Sequence, residues 1–275
     1  YFLKFLSSCL EGVNNSETLH ILFGCGSNGK SKIIELFENT IGDYACKLPI
    51  SMLTQKRVGP ASADPYLART KGKRFAALQE PNKEDEINVG LMKELTGGDR
   101  VITRGLFKDA IEFKPQFKPI LTCNHLPKVP ADDGGVWRRL IAIEFQSKFV
   151  DKPDPDSKNE FERDNQLTEN FDNWKEPFMY LLINKYYDMF KTQGLKVPKS
   201  VKKFTEKYRS DSDIFMDFYK EHIIEKENSY IVFGQLYTYF KEWLKEADPD
   251  QKCIKKSDFK KYIENNFPTF NNQKL

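Results

Sequence analysis

The sequence predicts an α/β fold built on a central parallel sheet, followed by a smaller, mainly helical unit, on three observations. Ile21-Leu22-Phe23 is an apolar run that enters the glycine-rich stretch Gly24-Cys25-Gly26-Ser27-Asn28-Gly29-Lys30-Ser31, and a helical pattern starts at once in Lys32 to Phe37, so strand, tight loop and helix follow one another. Two further short apolar runs, Phe75-Ala76-Ala77-Leu78-Gln79-Glu80 and Pro119-Ile120-Leu121-Thr122-Cys123-Asn124, end in a polar residue, as buried parallel strands with functional tips do. Beyond residue 166 the apolar spacing becomes helical.

The first stretch carries the most chemistry. Gly24, four residues, then Gly29-Lys30-Ser31 is the phosphate-cradling pattern, set between a strand and a helix. Glycines let the backbone curl so that its N–H groups point inward at phosphate oxygens, and the N–H groups that open the next helix add positive dipole. Residues 24–31 are therefore the expected nucleotide site, with Lys30 reaching the β- and γ-phosphates and Ser31 offering its hydroxyl to a magnesium ion.

Composition bounds the rest. With 43 Lys and Arg against 40 Asp and Glu, the net charge of +3 announces no polyanion partner, so any nucleic-acid surface is local. Five scattered cysteines without metal-ligand spacing read as free thiols in a reducing, intracellular compartment. The opening residues lack the pattern of a signal peptide, and no run is long enough to span a bilayer. The absence of an initiating Met, and an opening inside an amphipathic helix, suggest a fragment of a longer protein.

Along the chain, residues 1–15 read as a helical lead-in to a core that extends to residue 150. Lys56 to Pro65 reads as a loop, and Ile87 to Leu95 as a helix closed by Thr96-Gly97-Gly98-Asp99. Arg100 to Arg104 and Ala110 to Phe113 then form an expected hairpin with Phe107 and Lys108 near its tip. Trp137-Arg138-Arg139 precedes the last strand of the core, Leu140 to Phe145. Residues 151–166 read as a solvated connection within a linker and helical lid (151–210), with a helix beginning at Phe178. The helices of 211–275, with a strand fragment at Ile231-Val232, suggest a winged-helix-like unit. His20, His125 and His222 are expected at packing or surface positions, Tyr237, Tyr239, Phe240 and Trp243 in a core, and Lys255, Lys256, Lys260 and Lys261 mostly in water.

A phosphate loop, an acid-tipped strand, a hairpin, an asparagine-tipped strand and paired arginines stand in the order of a ring-forming nucleotide-driven motor. The chain resembles superfamily 3 helicases, specifically the helicase portion of the primase-helicases of poxviruses, giant DNA viruses and satellite phages. The residues that carry it are Gly26 to Ser31, Gln79-Glu80-Pro81, Leu95 to Asp99, Thr122 to Pro127 and Trp137-Arg138-Arg139. The match covers residues 1 to about 150 well and the tail more loosely.

The resemblance implies an AAA+-type P-loop NTPase fold that hydrolyses ATP with Mg2+. Lys30 and Ser31 match the Walker A pair, and Asn124 matches the sensor of the γ-phosphate and attacking water. Glu80 matches the Walker B acid, serving the metal or the water; Gln79 stands where many motors carry a second acid. Arg138 and Arg139 match the place of an arginine finger that reaches a neighbouring subunit, with Arg139 preferred. Arg104, Phe107 and Lys108 match the channel loop that meets DNA. The resemblance implies assembly into a ring, with a hexamer expected, movement 3′ to 5′ along single-stranded DNA and opening of forked duplex. The implied full-length protein carries an N-terminal primase region, and it works in host cytoplasm or at a viral replication site. Two other classes share the phosphate loop: a nucleotide-dependent DNA-binding initiator or scaffold, and a small-molecule kinase.

Overall fold

The computed structural model describes residues 1–55, 63–83, 85–131, 133–224, 226, 229–247 and 254–267. The chain divides into two compact units, residues 1–129 with 133–209, and residues 130–132 with 210–275. The strands are β1 (Leu19–Phe23), β2 (Ala45–Leu48), β3 (Phe75–Gln79), β4 (Val101–Arg104), β5 (Ala110–Phe113), β6 (Lys118–Cys123), β7 (Leu140–Glu144), β8 (Lys148–Val150) and β9 (Glu160–Glu162). The helices are α1 (Phe2–Ser8), α2 (Lys30–Ile41), α3 (Ser51–Thr54), α4 (Pro65–Ala68), α5 (Val89–Thr96), α6 (Gly134–Trp137), α7 (Phe171–Leu181), α8 (Asp188–Gln193), α9 (Lys199–Asp211), α10 (Ile214–His222), α11 (Phe233–Ala247) and α12 (Lys256–Asn266).

In the larger unit β2, β3, β6, β1 and β7 lie side by side in that order, every pair parallel. Alternate residues of each strand point to opposite faces, and both faces are covered, which is why these strands read as continuous apolar runs. Leu19, Ile21, Ala76, Leu78, Leu121 and Ala142 join Met52, Met92, Leu95, Val136, Trp137 and Tyr208 on one face. Leu22, Phe75, Ala77, Ile120 and Ile143 join Phe5, Leu6, Ile34, Phe37 and Leu182 on the other. The parallel α/β architecture expected of this region is the one observed.

Local chemistry sets the helix starts. Asn88 opens α5 by accepting from the Leu91 N–H (3.1 Å), Asp64 opens α4 with Pro65 behind it, and Asp133 opens α6 by accepting from the Val136 N–H (3.0 Å). At the end of α1 the buried ammonium of Lys118 donates to Ser8 O (2.8 Å) and Val13 O (2.7 Å), tying the lead-in helix to the first residue of β6.

His20 is buried in β1, its ring 3.8 Å from that of Phe5 and its Nε2 hydrogen-bonded to the Tyr1 hydroxyl (2.9 Å). Burial pulls its pKa from 6.5 to about 3, so the unfolded chain takes up a proton over an interval where the folded chain does not. The stability this contributes is complete above pH 6.5 and is lost as pH falls toward 3, at up to ~1.4 kcal/mol per pH unit. Urea unfolding across that range should therefore show a shallower acid slope for His20→Phe than for the wild type. Equal slopes would exclude His20 as the source.

Three expectations are corrected. The connection 151–166 contributes β9, which pairs in parallel with β8 through Phe149 and Phe161. The helix expected from Phe178 already begins at Phe171 and runs through Pro177, at its seventh position, where the ring removes one bond of the helical ladder; it then loosens into a π-helical turn over Leu182–Tyr187. Ile231 and Val232 form no strand, since the described residues of 210–275 offer no strand to pair with. The loop expected from Lys56 to Pro65 falls largely outside the described residues.

The smaller unit packs α10, α11 and α12 around Phe218, Leu236, Phe240, Leu244 and Phe259, with the rings of Phe240 and Phe259 stacked 4.5 Å apart. Asp213 caps α10 at the Met216 N–H (3.0 Å) and accepts from the Tyr262 hydroxyl (2.8 Å), locking α10 to α12. Tyr237 and Trp243 are half-buried, whereas Tyr239, expected with them in the core, is turned out to solvent because it sits one residue off the buried face of α11 marked by Leu236, Phe240 and Leu244; Lys255, Lys256, Lys260 and Lys261 are exposed. No described helix is long and apolar enough to cross a membrane.

Candidate functional site

The site opens beyond the carboxyl ends of β1, β3 and β6, where open α/β sheets place their ligands. A cleft of about 270 Å³ is lined by residues 26–32 of the loop and first turn of α2, by Glu80, and by Thr122, Cys123 and Asn124. The structure thus brings Lys30, Ser31, Glu80 and Asn124 together around one cavity. Gly24 and Cys25 support the loop without lining the cleft.

The loop's shape depends on two glycines. A Cβ at Gly24 would stand 1.9 Å from Asn28 Nδ2 and 2.9 Å from Phe145 O, so no side chain fits there. Gly29 caps α2 at φ 79°, in the left-handed region, against the ring of Phe149. No side chain caps α2 and its first turn holds no acid, so its leading N–H groups keep their capacity for an anion.

Lys30 is only 5% exposed, folded beneath this loop. Its ammonium donates to Gly24 O (2.7 Å), Asn28 Oδ1 (2.8 Å) and Asn124 Oδ1 (3.2 Å). All three acceptors are neutral, and burial lowers the lysine's pKa while the charge of Glu80 acts in the opposite direction. A buried cation with no carboxylate within ion-pairing reach is unfavourable by itself and suits an anionic ligand.

Glu80 continues the β3–β6 ladder through its N–H to Thr122 O (2.9 Å), yet turns to φ 51°, a left-handed conformation for a residue with a side chain. Such strain costs about 1–3 kcal/mol and gathers at functional sites. The turn leaves the carboxylate exposed at the cleft, where Glu80 is the one acid among the lining residues. Among the described residues no three His, Cys, Asp or Glu side chains cluster as a metal site. One hydroxyl and one carboxylate, Ser31 and Glu80, still suit Mg2+, which keeps several waters and takes few protein ligands.

The paired arginines stand apart from the cleft and differ from each other. Arg139, the preferred finger on sequence, is turned inward: its guanidinium is 13% exposed, pairs with Glu17 (2.8 Å) and donates to Gly135 O (3.1 Å). Arg138 is exposed. Arg104, Phe107 and Lys108 come together on the β4–β5 hairpin, away from the cleft. Phe107 is fully exposed at φ 56°, with Leu106 and Ile102 uncovered beside it. The hairpin is anchored where Arg104 O accepts from the Asp64 N–H (2.9 Å) and Thr103 Oγ1 donates to Asp64 O (3.1 Å).

Sequence reasoning passed over several residues. Lys32 lines the cleft and bridges Glu35 (2.9 Å) to Thr168 (2.7 Å). Phe149 packs under Gly29, and its N–H donates to Ser27 O (2.7 Å); the short apolar pair Phe149-Val150 was its only signal. Lys93 holds Asp133 (2.8 and 3.1 Å), a pairing across forty residues that no local pattern announces.

A family model described as a family of unknown function, DUF5906, matches residues 22–139. "Putative helicase L207/L206" of Acanthamoeba polyphaga mimivirus is 42% identical over 98% of this chain, which spans 29% of that protein. The chain is homologous to viral proteins of that name. "Putative helicase 022R" of Frog virus 3 is 30% identical over 90% of the chain, which spans 26% of it. "Putative primase C962R" of African swine fever virus (isolate Warthog/Namibia/Wart80/1980) is 27% identical over 82% of the chain, which spans 25% of it. In fold the chain is similar to the apo C-terminal region of NrS-1, with a TM-score of 0.54 and 17% identity over 97% of the chain and 64% of that region.

Proposed function

We propose that this chain is the ATP-driven motor portion of a viral-type replicative primase-helicase, with a P-loop core of the AAA+ type and a winged-helix-like C-terminal unit. Lys30 carries the reading: a buried ammonium with only neutral acceptors, at the uncapped start of a helix, beside a cleft with a single carboxylate. An anionic phosphate chain is the ligand that suits such a site.

On binding, Lys30 exchanges its amide partners for β- and γ-phosphate oxygens, while the loop N–H groups hold the same oxygens from the other side. Losing Lys30 frees Asn124 Oδ1 to accept from the attacking water. Glu80 takes the proton as the water oxygen bonds to the γ-phosphorus and the bond to the β-phosphate oxygen breaks, releasing ADP and phosphate. Ser31 and Glu80 would hold Mg2+, which would supply charge neutralisation at the phosphates. Arg138, exposed where Arg139 is tied to Glu17, serves as the finger on a neighbouring copy, which requires a ring, proposed as a hexamer. Arg104, Phe107 and Lys108 on the hairpin engage single-stranded DNA, the lysine at phosphate and the ring on sugar or base, and drive 3′ to 5′ movement into forked duplex.

Steady-state ATP turnover with and without single-stranded DNA tests the reading. Acceleration by DNA is the expected result. Binding without turnover would transfer the chain to the initiator or scaffold class, and phosphorylation of a small acceptor would make it a kinase.

A further inference from the structure

Between the hairpin and the exposed arginine lies a closed frame of contacts that nucleotide binding does not use. Helix α5 runs directly through Gly97 and Gly98 into β4 of the hairpin. From its last turn Lys93 reaches Asp133, the residue that caps α6, and α6 leads at once to Arg138 and Arg139. Arg139 is held by Glu17, and three residues earlier in the same loop Asn14 Nδ2 donates to Thr96 O at the end of α5 (3.2 Å). The path from α5 through Lys93, Asp133, α6, Arg139, Glu17 and Asn14 therefore returns to α5.

Two glycines show how closely this frame is fitted. A Cβ at Gly135 would lie 3.2 Å from Lys93 Nζ and 3.0 Å from Asp133 Oδ1, so a side chain there would crowd the ion pair. A Cβ at Gly97 would lie 2.7 Å from Lys93 O, so the chain leaves α5 for the hairpin at a point with no room for a side chain. The hairpin base and the arginine turn cannot shift independently without breaking either the Lys93–Asp133 pair or the Asn14–Thr96 bond.

We propose that Lys93, Asp133 and Glu17 are positioning residues that couple the hairpin to Arg138, so that DNA engaged by the hairpin changes how the arginine meets a neighbouring copy. The proposal rests on the motor reading given above. Its charge pair lies half-exposed, so its weight comes from connectivity rather than from ion-pair strength.

The test uses Asp133→Asn, which keeps an effective cap for α6 while removing the charge, together with Lys93→Met and the conservative Lys93→Arg. Each is assayed in the intact chain for ATP turnover with and without single-stranded DNA, and for thermal midpoint. Asp133→Asn and Lys93→Met are expected to lower the stimulation by DNA by about 5- to 10-fold, the range of a modest coupling free energy. The thermal midpoint stays near that of the wild type, and Lys93→Arg restores most of the stimulation. If folded variants are stimulated as strongly as the wild type, the coupling is overturned while the motor reading stands. If the wild type itself is not stimulated, the motor reading fails and the coupling falls with it.

Discussion

Replacing Lys30 with Ala should reduce ATP turnover by about 10²- to 10³-fold, the scale set by removing one preorganised donor from a developing anionic centre. The same substitution should abolish the rise in thermal midpoint that nucleotide gives the wild type, because stabilisation by a ligand follows its affinity for the folded state. The two readouts together separate a ligand-binding lysine from a structural one. If Lys30 served only to close the loop over Gly24 O and Asn28, its loss would lower the midpoint in the absence of nucleotide and leave the nucleotide-induced increment intact. A Lys30→Ala protein that hydrolyses ATP at the wild-type rate would remove the basis of the proposed function.

The second large effect lies in the paired arginines, where neighbouring residues should behave in opposite ways. Arg138→Ala should cut turnover by about 10³- to 10⁵-fold, as loss of an arginine finger does, with nucleotide binding and thermal midpoint preserved. Arg139→Ala should act first on stability, since it breaks an inward-facing pair with Glu17 and a bond to Gly135 O, at about 1–3 kcal/mol for charged hydrogen bonds. Mixing Arg138→Ala with Lys30→Ala protein gives the sharpest readout. Each inactive protein should restore the other, because an intact arginine on one copy would meet an intact phosphate loop on the next. Absence of restoration, or full activity of Arg138→Ala alone, would return the finger to Arg139 or remove it.

How much of this was legible in the sequence follows from distance along the chain. The strand, loop and helix from Ile21 to Ile41 could be read because their geometry is local: glycines at fixed offsets, a lysine and a serine at the helix start, and apolar residues on either side. That Glu80 and Asn124 reach the same cleft followed from strand tips sharing one edge of a parallel sheet. The pairing of Glu17 with Arg139, and of Lys93 with Asp133, could not be read, because each joins a basic residue to an acid in a polar turn distant along the chain, and no local pattern says which acid it meets. The parallel pairing of β8 with β9 was hidden for a related reason: strands of three residues in a charged, proline-containing stretch carry too little alternation to register. Ile231 and Val232 show the converse, strand-forming side chains without a partner strand among the described residues of their unit.

The closeness of Gly24 to Asn28 has a kinetic consequence. A loop already curled around its own lysine has met its ordering entropy during folding, so under the proposed function an incoming triphosphate would exchange partners with amides instead of assembling a cradle. Association should then be governed by diffusion and charge, and selectivity among phosphate-bearing molecules should be expressed in how slowly each one leaves.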